Sequence, residues 1–467
     1  MYAKVDDRIV RRLEDIVGEK GVLTDEGDRS DYAFDETPDL RFLPEVVVKP
    51  ASVDEVAQVM RVASEARVPV TPRGAGTGLS GGALPVYGGI LMSMERMARI
   101  LEIDEENLMV TTQPAVITGK LQEAVEEIGL FYPPDPASLD TCSIGGNVAE
   151  GAGGPRAVKY GVTRDYVRGL EAVLPTGEII STGGKLVKDV TGYDLIGMLV
   201  GSEGTLAVVT KIVLQLLPLP RKKVDLLIPF HSLEAAAQTV SEIIRQRIVP
   251  TAIEFMERGA VKMTEQYLNR EVPFHDAEAQ LLIEIDGHRE SELERDYETI
   301  GEIFLKNGAY DVFVADSSPA QRRLWEVRRS ILEALKAVSP ILCGEDVVVP
   351  RMAIPPLIEH VKAISERHGF GAVCFGHVGD GNVHIEIMKR DADYDHWRQV
   401  LPRMLEETFD AVLSLGGMIT GEHGIGWTKR KYLPKALGRA QVQLMERVKR
   451  AFDPDMILNP GKIFGSD

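Results

Sequence analysis

The chain has little cysteine, no long apolar run and no excess of basic charge. Its three cysteines, Cys142, Cys343 and Cys374, are far apart and form no C-x-x-C pair. That excludes a disulfide framework, and any iron–sulfur cluster held by four thiolates of this chain. No run of 18 apolar residues occurs, so no membrane span is predicted. The opening stretch MYAKVDDRIVRRLEDIVGEKG is charged and amphipathic, without an apolar signal core, and predicts an ordinary first helix. With so few cysteines, a cytoplasmic location is expected. A formal charge of −18 argues against a nucleic-acid or anionic-membrane partner, which would need a basic face. It leaves anionic ligands open, because a local arginine or metal overrides the global field.

What is present points to an α+β protein. At 467 residues and 44% hydrophobic content, two or three globular domains are expected. PEVVVKPASVDEVAQVMRVASEARVPVTPRG reads as strand, helix, strand, with Ser52 as the cap and Glu55 three residues on. From about 140 to 215 glycine is dense and the strands are short. LAVVTKIVLQLLPLPRKK then reads as a closing strand with a proline-rich exit, which puts a boundary near 220. From 221 to about 415, amphipathic stretches such as SLEAAAQTVSEIIRQR alternate with strands such as QLLIEIDG and AVCFGHVG, the pattern of a sheet covered by helices. The tail is a helix and then an extended segment.

The stretch VPVTPRGAGTGLSGGALP contains G-x-G-x-x-G from Gly76 to Gly81. A dinucleotide turn needs a helix starting at the third glycine, since the helix N-terminus holds the pyrophosphate. Here Gly82, Pro85, Gly88 and Gly89 follow, and then the strand-like ILMSM, so the dinucleotide reading fails on context. Seven glycines between Gly74 and Gly89 instead allow the backbone to approach an anion as a nest. Taken alone, they equally suit a bare surface loop. Two further glycine-rich stretches, 133 to 167 and 192 to 210, suggest backbone wrapped around a long cofactor.

CFGHVGDGNVHIEIM, residues 374 to 388, predicts a hairpin with Asp380-Gly381 at its turn. That register sets His377 opposite His384, with Glu386 pointing the same way. Opposed Cβ atoms roughly 4.5–5.5 Å apart let two imidazoles share one divalent ion. An isolated pair of this kind would be read as hydrogen-bonded histidines in a sheet. It is not isolated: GGMITGEHGIGWTKRKY sets Glu422 and His423 side by side among five glycines, too many for an ordinary helix.

In the order and spacing of these motifs, the chain resembles FAD enzymes of the vanillyl-alcohol-oxidase-type superfamily. Within it, the chain is similar to the glycolate oxidase FAD-linked subunit and D-lactate dehydrogenase group. The resemblance implies an FAD-binding domain (PCMH type) over 1–220 and an α/β cap domain over 221–420 with an antiparallel sheet covered by helices. A C-terminal segment, 421–467, would return to the FAD domain. Arg73, Gly74, Ala75, Gly76, Thr77, Gly78, Leu79 and Ser80 would cradle the pyrophosphate. Pro134, Asp135, Ser138, Cys142, Ser143, Gly145, Gly146 and Asn147 would line the ribityl and ring portion. Gly161, Asp165, Val167, Gly201, Glu203, Gly204, Thr205 and Asn459 would hold the rest. Thr77 stands where covalent members carry a histidine, so the FAD is expected to be non-covalent.

The same resemblance implies a divalent metal (zinc, manganese or iron) on His377, His384 and Glu422, with His423 as catalytic base. Arg328, in LWEVRRSILEAL, would grip the substrate carboxylate, while Trp325 and Arg329 are expected in packing and surface roles. Relatives acting on D-2-hydroxyglutarate carry a threonine, a lysine and an asparagine where this chain has Leu332, a position near Gly344, and Glu386. A small D-2-hydroxy acid such as D-lactate or glycolate is therefore expected, oxidised to the 2-oxo acid by proton transfer to His423 and hydride transfer to flavin N5. Electrons would leave to an iron–sulfur subunit, electron-transferring flavoprotein, quinone or oxygen. D-2-hydroxyglutarate, a non-catalytic FAD-binding subunit of an electron-transfer complex, and an ether-lipid synthase remain alternatives.

Overall fold

Ser52 starts a helix because its Oγ accepts the Glu55 N–H at 3.2 Å while the Glu55 carboxylate reaches back to the Ala51 N–H at 2.7 Å. That helix, Val53–Ala66, lies between the strands Val46–Val48 and Val70–Arg73. The computed structural model describes residues 2–465 and falls into two compact units. The first comprises Met1–Gly153, Val162–Leu219 and His423–Asp467.

One sheet of the first unit runs Val22–Leu23, Val46–Val48, Ile90–Ser93, Val70–Arg73, the last three strands parallel. Helices Asp7–Val17 and Val53–Ala66 bury Ile9, Leu13, Val56, Met60 and Ala63 against Val46, Val48, Val70 and Ile90. A second sheet is antiparallel and five-stranded: Ile100–Asp104, Met109–Thr112, Val208–Gln215, Val167–Val173, Ile179–Gly183. Between Arg73 and Ile90 the chain is an irregular loop with no helix, as its glycine and proline content predicts.

The second unit comprises Gly154–Gly161 and Pro220–Glu422. Its antiparallel sheet has the spatial order Phe313–Ala315, Lys222–Phe230, Ala279–Gly287, Ala252–Glu257, Gly371–His377, Asn382–Met388, Leu342–Val348. Helices cover the sheet, and the central strands are buried on both faces, so that the polar residues they carry, Glu254 and Glu386 among them, are buried too. Polar groups anchor helix Ser318–Arg329: Trp325 Nε1 donates to Asp225 Oδ2 at 3.2 Å, and Gln321 Nε2 to the Lys223 carbonyl at 3.0 Å.

Residues 154–161 fall in this unit, although their sequence position groups them with the first. Lys159 pairs with the Asp286 carboxylate, and the Tyr160 hydroxyl donates to Asp286 Oδ1 at 2.9 Å. A contact spanning 126 residues leaves no trace in local pattern. Among the described residues, no helix is long and apolar enough to cross a membrane.

Candidate active site

The hairpin at 371–388 forms, but not in the expected register. His377 pairs with Asn382, and His384 pairs with Phe375. The loop is four residues long, Val378 to Gly381, because the His377 carbonyl accepts the N–H groups of both Asp380 (3.3 Å) and Gly381 (3.0 Å). Gly381 takes φ +93°, and Asp380 Oδ1 accepts the Asn382 N–H at 3.2 Å. The slip is two residues. A slip of one would have sent His384 to the far side of the sheet, whereas two preserves the face.

His377 and His384 are therefore diagonal neighbours on one face, their Nε2 atoms 3.4 Å apart. Glu422 Oε1 lies 3.8 Å from His377 Nε2 and 3.6 Å from His384 Nε2. One donor atom from each residue falls within 4.8 Å of the others. Ligands about 2.0–2.1 Å from a tetrahedral zinc lie about 3.4 Å from one another, so this spacing suits one divalent ion with an open fourth position. The set is hard to borderline, one carboxylate and two imidazoles, as expected for zinc, manganese or iron(II). Glu386 is not part of the cluster. It is buried, with its carboxyl over Gly344 and Oε2 without a hydrogen-bond partner; burial, then Glu345, pushes it up to about 7.

Behind the trio stands Glu254, fully buried on the strand Ala252–Glu257. Its Oε1 lies 2.6 Å from His377 Nδ1, and its Oε2 accepts from Arg328 Nε and Nη2, both at 2.8 Å. A carboxylate on the rear nitrogen presents Nε2 of His377 to a metal and fixes the ring. Burial alone would favour neutral imidazole, but Glu254 and then Glu422 outweigh it and hold His377 well above the usual histidine range. The two cations hold Glu254 below its ordinary value despite its burial. Arg328 also lies over the Phe375 ring, 4.9 Å from its centroid, and Phe375 flanks His384 at 5.3 Å. Arg328, the candidate substrate-gripping arginine, is thus tied through one carboxylate to the candidate metal ligand His377. Glu254→Ala takes from buried His377 and half-buried Arg328 the carboxylate they share, and is expected to cost about 3–5 kcal/mol, read as a lower denaturant midpoint.

Glu422 closes the second unit, and His423 reopens the first. The segment carrying them has neither helix nor strand. On the second unit's side, Asp346 Oδ2 accepts the N–H groups of Gly421 and Glu422, each at 2.6 Å. In the first unit, Glu203 accepts those of Ile425 at 2.8 Å and Gly426 at 2.6 Å.

The other cofactor-binding candidates of the first unit converge on three loops. Arg73 ends its strand and donates to the Phe34 carbonyl at 2.8 Å. In the loop that follows, a Cβ on Gly74 would come 2.4 Å from Ser143 Oγ, and one on Gly76, at φ +74°, 2.1 Å from Arg73. A Cβ on Gly78 would meet nothing within 4 Å. Ser143 caps helix Ile144–Glu150, while Cys142 Sγ (3.3 Å) and Asn147 Nδ2 (2.7 Å) both turn inward to Thr118 Oγ1. Gly145 packs its backbone on Pro114. Asp165 accepts the Val162 N–H at 2.7 Å, Thr205 bonds the Ser202 carbonyl at 2.8 Å, and Val167 begins a buried strand. Asn459 Nδ2 bridges the carbonyls of Gly82 (3.0 Å) and Glu203 (2.8 Å).

Comparison with known proteins matches residues 44–183 to the FAD binding domain family and residues 219–463 to the FAD linked oxidases, C-terminal domain family. The chain belongs to the FAD-linked oxidases. It is 45% identical over 436 residues to the glycolate oxidase subunit GlcD of Bacillus subtilis, covering 93% of this chain and 92% of that one. It is 40% identical over 468 residues to a D-lactate dehydrogenase of Anaerostipes hadrus, covering 99% and 98%. Among solved structures, p-cresol methylhydroxylase with substrate bound superposes with a TM-score of 0.81 at 17% identity, covering 98% and 96%, which establishes the shared two-domain fold.

In the 74–79 loop, Ser143 and Arg73 stand against Gly74 and Gly76, while the space at Gly78 is open. Glu150 Oε2 is buried without a partner, and burial, then Glu203, raises that carboxyl well above its usual range. The orphaned oxygen lies 2.6 Å from where a Cβ on Gly424 would stand, while Oε1 of the same carboxyl lies 3.1 Å from that of Gly82 in the glycine-rich loop, and an orphaned polar atom there suits a bound polar group. Sequence reasoning missed Glu254, Asp346 and Glu150. Glu254 carried a signal, an acid inside the apolar strand AIEFM, since a fully buried carboxylate demands partners.

Proposed function

We propose that this FAD-linked oxidase dehydrogenates a small D-2-hydroxy acid, D-lactate or glycolate, to the 2-oxo acid. The observation that carries the reading is the trio His377, His384 and Glu422, joined through Glu254 to Arg328. Bound FAD supplies the hydride acceptor, and a divalent ion on the trio supplies the positive charge that makes an adjacent hydroxyl more acidic. Arg328 binds the substrate carboxylate through Nη1, which makes no hydrogen bond among the described residues while Nε and Nη2 stay on Glu254. His423 accepts the hydroxyl proton. Glu254 keeps the His377 ring and the guanidinium in fixed relation, so carboxylate and hydroxyl are oriented together.

Two features favour a monocarboxylic substrate. Leu332 and Gly344 bring no cation, and Glu386 sets an acid beside Gly344. Lys336, the cation that acts on Glu386, is paired with Glu333 at 2.9 Å on the surface. FAD is held non-covalently, with Thr77 in its loop. The reduced flavin passes its electrons to an external acceptor, such as an iron–sulfur subunit or electron-transferring flavoprotein; the word "subunit" in the Bacillus relative's name supports a complex. A cytoplasmic location, peripheral to the membrane through such a partner, belongs to the same reading.

Anaerobic mixing with D-lactate, L-lactate, glycolate and D-2-hydroxyglutarate tests it. Flavin bleaching is expected with D-lactate or glycolate, not with L-lactate, and only weakly with hydroxyglutarate. Chelator should abolish the bleaching, and added zinc or manganese restore it. Bleaching indifferent to chelator would remove the metal from the reading.

A further inference from the structure

Glycine-rich backbone is a poor support for a metal ligand, because it carries wide conformational freedom unless something ties it down. Thr420 to Gly424 has no regular structure, yet Glu422 must arrive within about 4 Å of two imidazoles. On the second unit's side one tie is a carboxylate. Asp346 is fully buried on the strand Leu342–Val348, directly opposite His384 in the register. Its Oδ2 accepts the N–H groups of Gly421 and Glu422, each at 2.6 Å, and Thr420 Oγ1 donates to the same carboxylate at 3.2 Å. Gly421 permits this approach: a Cβ there would come 2.0 Å from Asn382 Nδ2, on the strand that also carries His384.

We propose that Asp346 is a positioning residue that sets the divalent-cation affinity of the centre by fixing the backbone of Glu422. The inference rests on reading His377, His384 and Glu422 as an ion centre. Two hydrogen bonds run to this carboxyl from the ligand's own amide and its neighbour's. They hold the start of the Glu422 side chain against the sheet that bears both histidines. The ligand set is then assembled before an ion arrives, and binding does not have to order a loose loop. Outer partners of metal ligands typically change affinity by 10–100-fold, and Asp346 acts on Glu422 as Glu254 acts on His377.

The test is zinc affinity of the FAD-bound full chain, by competition with a chromophoric chelator, in four proteins: wild type, Asp346→Asn, Glu422→Ala and the double variant. Asp346→Asn should weaken zinc about 10–100-fold with FAD content unchanged. In the Glu422→Ala background the same substitution should change affinity less than about 2-fold, because no ligand is left to position. Unchanged affinity in Asp346→Asn, or the same loss in both backgrounds, overturns the proposal; the second result would mark a general structural residue. If Asp346→Asn does not yield folded flavoprotein, Thr420→Val removes a single bond to the same carboxylate. It should weaken zinc about 2–10-fold, and wild-type affinity there also overturns the proposal. A wild-type chain that binds no zinc, or whose zinc ignores loss of His384, refutes the ion centre itself. Zinc that needs His384 but not Asp346 refutes only the positioning role.

Discussion

His423→Ala is expected to slow anaerobic flavin bleaching by about 10²–10⁴-fold, with FAD content and zinc affinity unchanged. The physical ground is that hydride cannot leave the substrate carbon until negative charge develops on its hydroxyl oxygen, which requires somewhere for the proton to go. A cation held by His377, His384 and Glu422 would make that proton more acidic without accepting it. Arg328 stays protonated and cannot accept it either. Imidazole is the side chain suited to do so near neutral pH. Because the trio does not include His423, removing this ring would leave the ion's ligands in place, and the deficit would fall on the proton transfer. Stopped-flow mixing with D-lactate measures it directly. A variant that bleaches at the wild-type rate has another base.

His384→Ala is expected to lower zinc affinity and flavin bleaching together, each by about 100-fold or more, while FAD remains bound. His384 is the better choice of the two histidines. His377 also pairs with buried Glu254, so its removal would orphan a fully buried carboxylate and confuse metal loss with unfolding. His384 faces His377 through Nε2 and flanks Phe375. Metal analysis of the dialysed protein and bleaching by D-lactate are the two readouts. Full bleaching in a metal-free variant would show that Arg328 and His423 suffice, and that the trio serves another purpose.

Much of the molecule was legible in its residues. The strand–helix–strand entry with its Ser52 cap, the helix-free loop after Gly81 and the hairpin bearing two histidines all follow from local spacing. The hairpin also shows where local reasoning ends. Asp380-Gly381 suggested a two-residue turn, but the His377 carbonyl bonds both Asp380 and Gly381, so a four-residue loop results and His384 meets Phe375. The shared face survived only because the error was an even number of residues. Among the cofactor candidates, Cys142 and Asn147 point their side chains to Thr118, a partner more than twenty residues away.

Taken alone, the sequence determined which residues were candidates: glycine-dense loops, a hairpin bearing two imidazoles, and a carboxylate beside a further imidazole in a glycine-rich segment. Spacing over two to eight residues decides such features, because backbone conformation and strand periodicity act at that range. The tertiary structure decided how those groups are held. Glu254 reaches His377 across 123 residues, Asp346 reaches Glu422 across 76, and Glu203 reaches Gly426 across 223. Each is a buried carboxylate whose desolvation is offset only by donors that folding brings to it, so its role comes into being with the packed chain.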